Sequence, residues 1–98
     1  MTTDPRAPDP RTPLILVLGR DTCEDTTRSR EHLTAQGIEF TYLHVDLDPD
    51  ADAWIRRLNG GEWKTPTILI GDPEQPSHTL REPTNEELDA AIGEALGL

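Results

Sequence analysis

Apolar residues in this chain fall in short, separated bursts, and their spacing predicts alternating strands and helices. Leu14-Ile15-Leu16-Val17-Leu18 is an unbroken apolar run ended by Gly19. Such a run suits a central strand covered on both faces. A polar stretch from Arg20 to Arg30 follows, then Leu33, and Gly37 stands where a helix C-cap belongs. Leu33 and Ala35 are nearly the only apolar residues of this first helix. Residues 38–45, Ile38-Glu39-Phe40-Thr41-Tyr42-Leu43-His44-Val45, are rich in β-formers and partly alternate, which predicts a second strand.

Asp48-Pro49 opens the next helix with an acidic N-cap and a proline at the first helical position, where its missing N–H costs nothing. Ala51, Trp54, Ile55 and Leu58 share one face of that helix, and Asn59-Gly60-Gly61 stops it. Thr67-Ile68-Leu69-Ile70 reads as a third strand closed by Gly71, Asp72-Pro73-Glu74-Gln75-Pro76 as a loop, and Thr79-Leu80-Arg81 as a short edge strand. Thr84 with Glu87 three residues on forms a capping box, ahead of a stripe of Leu88, Ala91, Ile92, Ala95 and Leu96. The order β-α-β-α-β-β-α predicts an α/β sandwich of about four strands, with the first two parallel and helices on both faces.

The first 13 residues hold four prolines and no large apolar residue after Met1, so they are expected to be a disordered tail ahead of a domain over residues 14–98. With 98 residues in all, the chain has room for one small domain with a modest core. A formal net charge of −10 works against nucleic-acid backbones and anionic membrane surfaces. The longest apolar run, Leu14–Leu18, is far short of the ~20 residues a membrane span needs. A single cysteine, and an N-terminus without the apolar core of a signal peptide, favour a reducing cytoplasm. Eight arginines against one lysine point to a GC-rich bacterial source.

That cysteine, Cys23, is the obvious candidate for chemistry. It sits between an apolar strand and a helix, where the helix dipole and unpaired N–H groups stabilise a thiolate. Arg20 and Arg28 add positive potential, whereas Asp21, Glu24 and Asp25 push the thiol pKa upward. The plainer reading is a small buried hydrophobe, which the polar neighbours disfavour. Thr65-Pro66-Thr67 reads either as an ordinary proline at the first residue of a strand or as a cis-proline turn that frees the Thr65 backbone for an extended ligand. By itself the tripeptide favours the ordinary proline. The carboxylates Asp46, Asp48, Asp50 and Asp52 alternate like a calcium loop but lack its glycine and its bidentate glutamate, so they read as solvated charges at a helix start. His32, His44 and His78 have no ligand spacing, and no structural zinc is expected. Trp54 reads as core; Trp63, before Pro66, either walls a groove or packs over the sheet.

Taken together, Leu14–Leu18 followed by Arg20-Asp21-Thr22-Cys23, then Asn59-Gly60-Gly61, Thr65-Pro66-Thr67 and the run from Leu80 to Leu88 resemble a glutaredoxin of the thioredoxin fold, particularly the mycoredoxin branch. The resemblance covers roughly residues 14–96. It implies a thioredoxin-like three-layer α/β sandwich with a four-stranded mixed sheet. It further implies a nucleophilic Cys23, Arg20 against a thiol carboxylate, Thr65 offering its backbone to the bound thiol, Pro66 in cis, and Thr84 and Asn85 as an anion site at a helix N-terminus. Here the active-site motif is Cys23-Glu24-Asp25-Thr26 and lacks a resolving cysteine. A dithiol cycle within one chain is thereby excluded and a monothiol cycle retained, with glutathione or mycothiol as co-substrate.

Three readings follow. The first is a cytoplasmic, monomeric monothiol oxidoreductase acting on mixed disulfides of a low-molecular-weight thiol and a protein. The second is a redox-inactive thioredoxin-fold binding or regulatory module whose acidic surface meets a basic partner. The third is an iron–sulfur cluster held by Cys23 across a dimer, which needs an added thiol ligand.

Overall fold

The computed structural model describes residues 14–97; the tail expected over residues 1–13, and Leu98, lie outside the described residues. The elements are β1 (Ile15–Gly19), α1 (Glu24–Ala35), β2 (Thr41–His44), α2 (Pro49–Leu58), β3 (Thr67–Gly71), β4 (Pro76–Arg81) and α3 (Asn85–Leu96). This is the expected β-α-β-α-β-β-α order. The strands form one mixed sheet in the order β2-β1-β3-β4, with β1 parallel to β2 and antiparallel to β3, and β3 antiparallel to β4.

Successive side chains of a strand point to opposite faces, so the apolar runs of the two central strands supply two cores at once. Ile15, Val17, Ile68 and Ile70 face Leu33 of α1 and Leu88, Ala91 and Ile92 of α3. Leu16, Leu18 and Leu69 face Ala51 and Ile55 of α2. The result is a three-layer sandwich of the thioredoxin type. Trp54, read as core from its stripe, is only half-buried at the margin of the α2 layer, where Trp63 joins it.

Two strand limits differ from the sequence reading. The second strand pairs only over Thr41–His44, because Ile38 is taken by the end of α1. There the Ile38 N–H donates to the Leu33 carbonyl and the Gly37 N–H to that of Thr34, a Schellman closure with Gly37 at φ 69°. The last strand starts earlier than expected, at Pro76, since an irregularity at Ile70/Gly71 with Gly71 at φ 100° brings Pro76 opposite Gly71.

The polar α1 is seated by small residues. Its buried face is Thr26, Ser29 and Leu33. Gly19 ends β1 directly beneath Thr26, and a Cβ there would lie 2.6 Å from the Thr26 side chain. Close approach of strand and helix at this point fixes where α1 begins, and with it the position of Cys23. The Ser29 hydroxyl is buried without a hydrogen-bond partner among the described residues, and nothing in the structure explains it.

Candidate active site

Cys23 is the N-cap of α1, in extended backbone conformation. Its N–H donates to the Arg20 carbonyl and its own carbonyl accepts from Thr27, so both sides of the residue are fixed by the backbone. The side chain is partly exposed and unpaired with any other cysteine. Its thiol donates to the Thr65 carbonyl at 3.2 Å, across 42 residues of sequence. Thr65–Pro66 is a cis peptide bond, so the reading as an ordinary strand-start proline is replaced by the cis turn.

The electrostatics at the sulfur have several contributors. Burial pushes the thiol pKa up, but hydrogen bonds from the Thr65 side chain, from the Thr26 backbone and hydroxyl and from the Asp25 backbone outweigh it, leaving the pKa below its ordinary value. The Thr65 carbonyl acts in the opposite sense, because it can accept only from the protonated sulfur. In the thiol form the buried Thr26 hydroxyl has no partner among the described residues. Ionisation of Cys23 therefore supplies the acceptor that this hydroxyl lacks.

Two of the three neighbouring carboxylates, expected to push the thiol pKa upward, are already engaged. Asp25 pairs with Arg28 at 2.9 Å. Asp21 accepts from the Tyr42 hydroxyl at 2.9 Å and lies 3.4 Å from both Arg30 and His44. Burial and the Asp21 bond push the Tyr42 phenol far above its ordinary pKa, so it stays a donor. Only Glu24 has no ion-pair partner among the described residues.

The other predicted residues fall in two groups, one before the start of α1 and one linked to the cis turn. On one side, Arg20 lies with its guanidinium 5.7 Å from the centre of the Trp63 ring, its Nε buried and unpartnered among the described residues. On the other, the Pro66 carbonyl accepts from Glu82 at 2.8 Å, which ties the cis turn to the loop ahead of α3. Glu82 holds the left-handed conformation there, at φ 50°. Thr84 caps α3, accepting from the Glu87 N–H at 3.1 Å while the Glu87 carboxylate accepts from the Thr84 N–H at 3.0 Å. Thr84 and Asn85 share an open cavity of about 370 Å³ with Arg28 and Glu86. Arg28 also donates to the Pro83 carbonyl at 3.2 Å, so the helix that carries Cys23 reaches the start of α3.

Sequence reasoning missed the partners. Nothing at the level of single motifs announced that Thr26, three residues after the cysteine, would help to lower the Cys23 pKa. The Asp52–Arg56 pair at 2.8 Å has the readable i,i+4 spacing of a helix, but its second role, accepting from the Trp63 indole at 2.6 Å, comes from the tertiary fold. The indole and then Arg56 hold the Asp52 carboxyl below its ordinary pKa.

A helix-capping cysteine opposite a cis-proline turn is accompanied by a match of the glutaredoxin family model to residues 15–73, more than half of the chain. The chain belongs to the glutaredoxin family. The match contains Arg20, Cys23, Thr65 and Pro66, whereas Thr84 and Asn85 lie beyond it. Solved glutaredoxins share the fold. That of Archaeoglobus fulgidus superposes with a TM-score of 0.64 at 21% identity, over 82% of this chain and 86% of the other. The Brucella melitensis protein gives 0.59 at 21% identity, over 86% and 83%. The Methanosarcina mazei protein gives 0.56 at 23% identity, over 90% and 81%. No curated protein matches the chain. Glutaredoxins are thiol–disulfide oxidoreductases that use glutathione-like thiols, and no described helix of this member is long and apolar enough to cross a membrane.

Proposed function

We propose that this glutaredoxin is a monothiol oxidoreductase that works through Cys23 on mixed disulfides between a low-molecular-weight thiol and a protein. The observation that carries the reading is the Cys23 sulfur at the start of α1, partly exposed and facing Thr65 at the cis turn, with its pKa below that of an ordinary thiol. The Cys23 thiolate attacks the small-thiol sulfur of the mixed disulfide. A new disulfide forms between Cys23 and the small thiol, and the protein thiolate leaves and takes up a proton. A second small-thiol anion then attacks that new disulfide on the small-thiol sulfur. The small-thiol disulfide leaves and Cys23 is returned as thiolate, so the mixed disulfide and one free small thiol become a protein thiol and a small-thiol disulfide.

With glutathione as the thiol, Arg20 meets one carboxylate, the Thr65 backbone pairs with its peptide beside Pro66, and Thr84 and Asn85 hold the second carboxylate at the start of α3. Thr26 in place of a resolving cysteine makes the cycle monothiol. Glutathione and mycothiol are the co-substrates to compare, the latter following from the mycoredoxin-like run of motifs. A cytoplasmic monomer suits both, and residues 1–13 serve as a tail to the catalytic domain.

Turnover of a glutathionylated and a mycothiolated peptide is the test. Activity with at least one of them, abolished in Cys23→Ser, is the expected result. A well-folded protein inert towards both would leave the redox-inactive binding module as the better description.

A further inference from the structure

Arg20 and its setting carry more than the family resemblance assigns to them. Trp63 lies in the loop after α2, two residues ahead of Thr65. Its indole N–H donates to Asp52 at 2.6 Å, and Asp52 also accepts from Arg56 Nε at 2.8 Å. Arg56 also donates to the Gly61 carbonyl at 3.0 Å, and its guanidinium lies 5.3 Å from the centre of the indole ring. The ring is therefore pinned at its edge by a carboxylate and flanked by a cation that the same carboxylate holds. Arg20 uses the same ring, at 5.7 Å.

Arg20 differs from the other arginines around the site. Arg28, Arg30 and Arg56 are each paired with a carboxylate, whereas Arg20 has none among the described residues and keeps a buried, unpartnered Nε. In a chain of net charge −10, an arginine left without a carboxylate beside the reactive sulfur is conspicuous. A guanidinium resting on an aromatic ring is held by cation–π attraction while its in-plane N–H groups stay free. Those N–H groups match the two oxygens of a carboxylate.

We propose that Trp63, pinned by Asp52, is a positioning residue for Arg20, so that the preference for a carboxylate-bearing thiol, which the reading above already gives to Arg20, depends on the Trp63 ring. The inference rests on the reading of Cys23 and Arg20 above and decides between its two co-substrates. Glutathione carries carboxylates; mycothiol carries none.

The test is titration of the reduced protein with S-methylglutathione, which binds without disulfide exchange, and with its diethyl ester, in which both carboxylates are masked. The wild type is expected to bind the acid about tenfold more tightly than the ester, the scale of a charge-assisted hydrogen-bonded pair. Trp63→Leu should narrow that preference to about threefold or less by weakening the acid alone, and Trp63→Phe, which keeps an aromatic face, should preserve most of it. Asp52→Ala, which releases the indole without emptying the space that Trp63 fills, should act in the same direction as Trp63→Leu. Equal weakening of acid and ester would mark a merely structural role and overturn the proposal. So would an unchanged preference in both Trp63→Leu and Asp52→Ala, or a wild type that binds neither compound. Turnover of a glutathionylated peptide is followed alongside. Selective binding without turnover of the glutathionylated peptide upholds this inference and sinks glutathione-linked turnover; turnover without selectivity does the reverse.

Discussion

At the scale of the residue, the chemistry turns on which groups satisfy the Cys23 sulfur in each ionisation state. The Thr65 carbonyl serves the thiol, while hydroxyl and N–H donors of Thr65, Thr26 and Asp25 serve the thiolate. The balance leaves the pKa below its ordinary value, so the thiolate is populated at lower pH than in a free cysteine. The pH midpoint of the Cys23 alkylation rate is accordingly expected to lie below the ~8.5 of a free thiol. Thr26→Val keeps the branched shape in the buried slot and removes only the hydroxyl. Its alkylation midpoint should move up from the wild-type position with little change in the unfolding midpoint. Identical alkylation profiles for the two proteins would remove Thr26 from the account.

At the scale of the element, α1 is held in place by smallness rather than by apolar bulk. Its inner face is Thr26, Ser29 and Leu33, and β1 ends in a glycine so that the helix can come down on the strand. Gly19→Ala sets a methyl group 2.6 Å from the Thr26 side chain, which must shift. Overpacking of this kind typically costs about 1–3 kcal/mol. Chemical denaturation should show that loss, and the alkylation midpoint of Cys23 should rise with it as the Thr26 hydroxyl is pushed from the sulfur. A destabilised variant with an unchanged thiol would separate the packing of Gly19 from the chemistry of Thr26. The helix start of α3 is built differently, with a reciprocal capping box at Thr84 and Glu87 that was visible in the spacing of the two residues.

At the scale of the whole molecule, α3 is joined to the rest by an apolar stripe and by histidine–carboxylate contacts at its rim. His32 of α1 meets Asp89 at 2.7 Å, and His78 of β4 meets Glu94 at 2.9 Å. The His32 bond holds the Asp89 carboxyl below its ordinary pKa, and the Thr84 N–H does the same for Glu87. A carboxyl whose folded pKa is depressed contributes stability that is fully present above its unfolded pKa of about 4, and loses it as pH falls through the folded value. The unfolding midpoint should therefore decline on acidification below about pH 4, and Asp89→Asn should make that decline shallower. An acid limb of equal steepness in Asp89→Asn would show that the pair contributes nothing to the docking of α3. Both carboxylates are exposed, so each effect is modest.

The hydrophobic pattern alone determined the order of the elements, the two central strands, the helix caps at Asp48 and Thr84, and the cysteine at a helix start. These are local properties: the period of a strand or helix, and the few residue types that can satisfy a free N–H, are written in neighbouring positions. Only the tertiary structure decided what surrounds the sulfur. The cis turn at Thr65–Pro66 could not be told from an ordinary proline until β3 was set opposite α1. Likewise the acidic run around Cys23 gave no sign that Asp21 would be claimed by Tyr42, Arg30 and His44, since those partners lie on other elements. Charge sums over sequence add every neighbour with the same weight, whereas the pKa of a thiol answers to distance, burial and hydrogen-bond direction. Trp63 shows the same division: the sequence left groove wall and packing over the sheet open, and the fold sets the ring at the margin of the α2 layer with the Arg20 guanidinium near it.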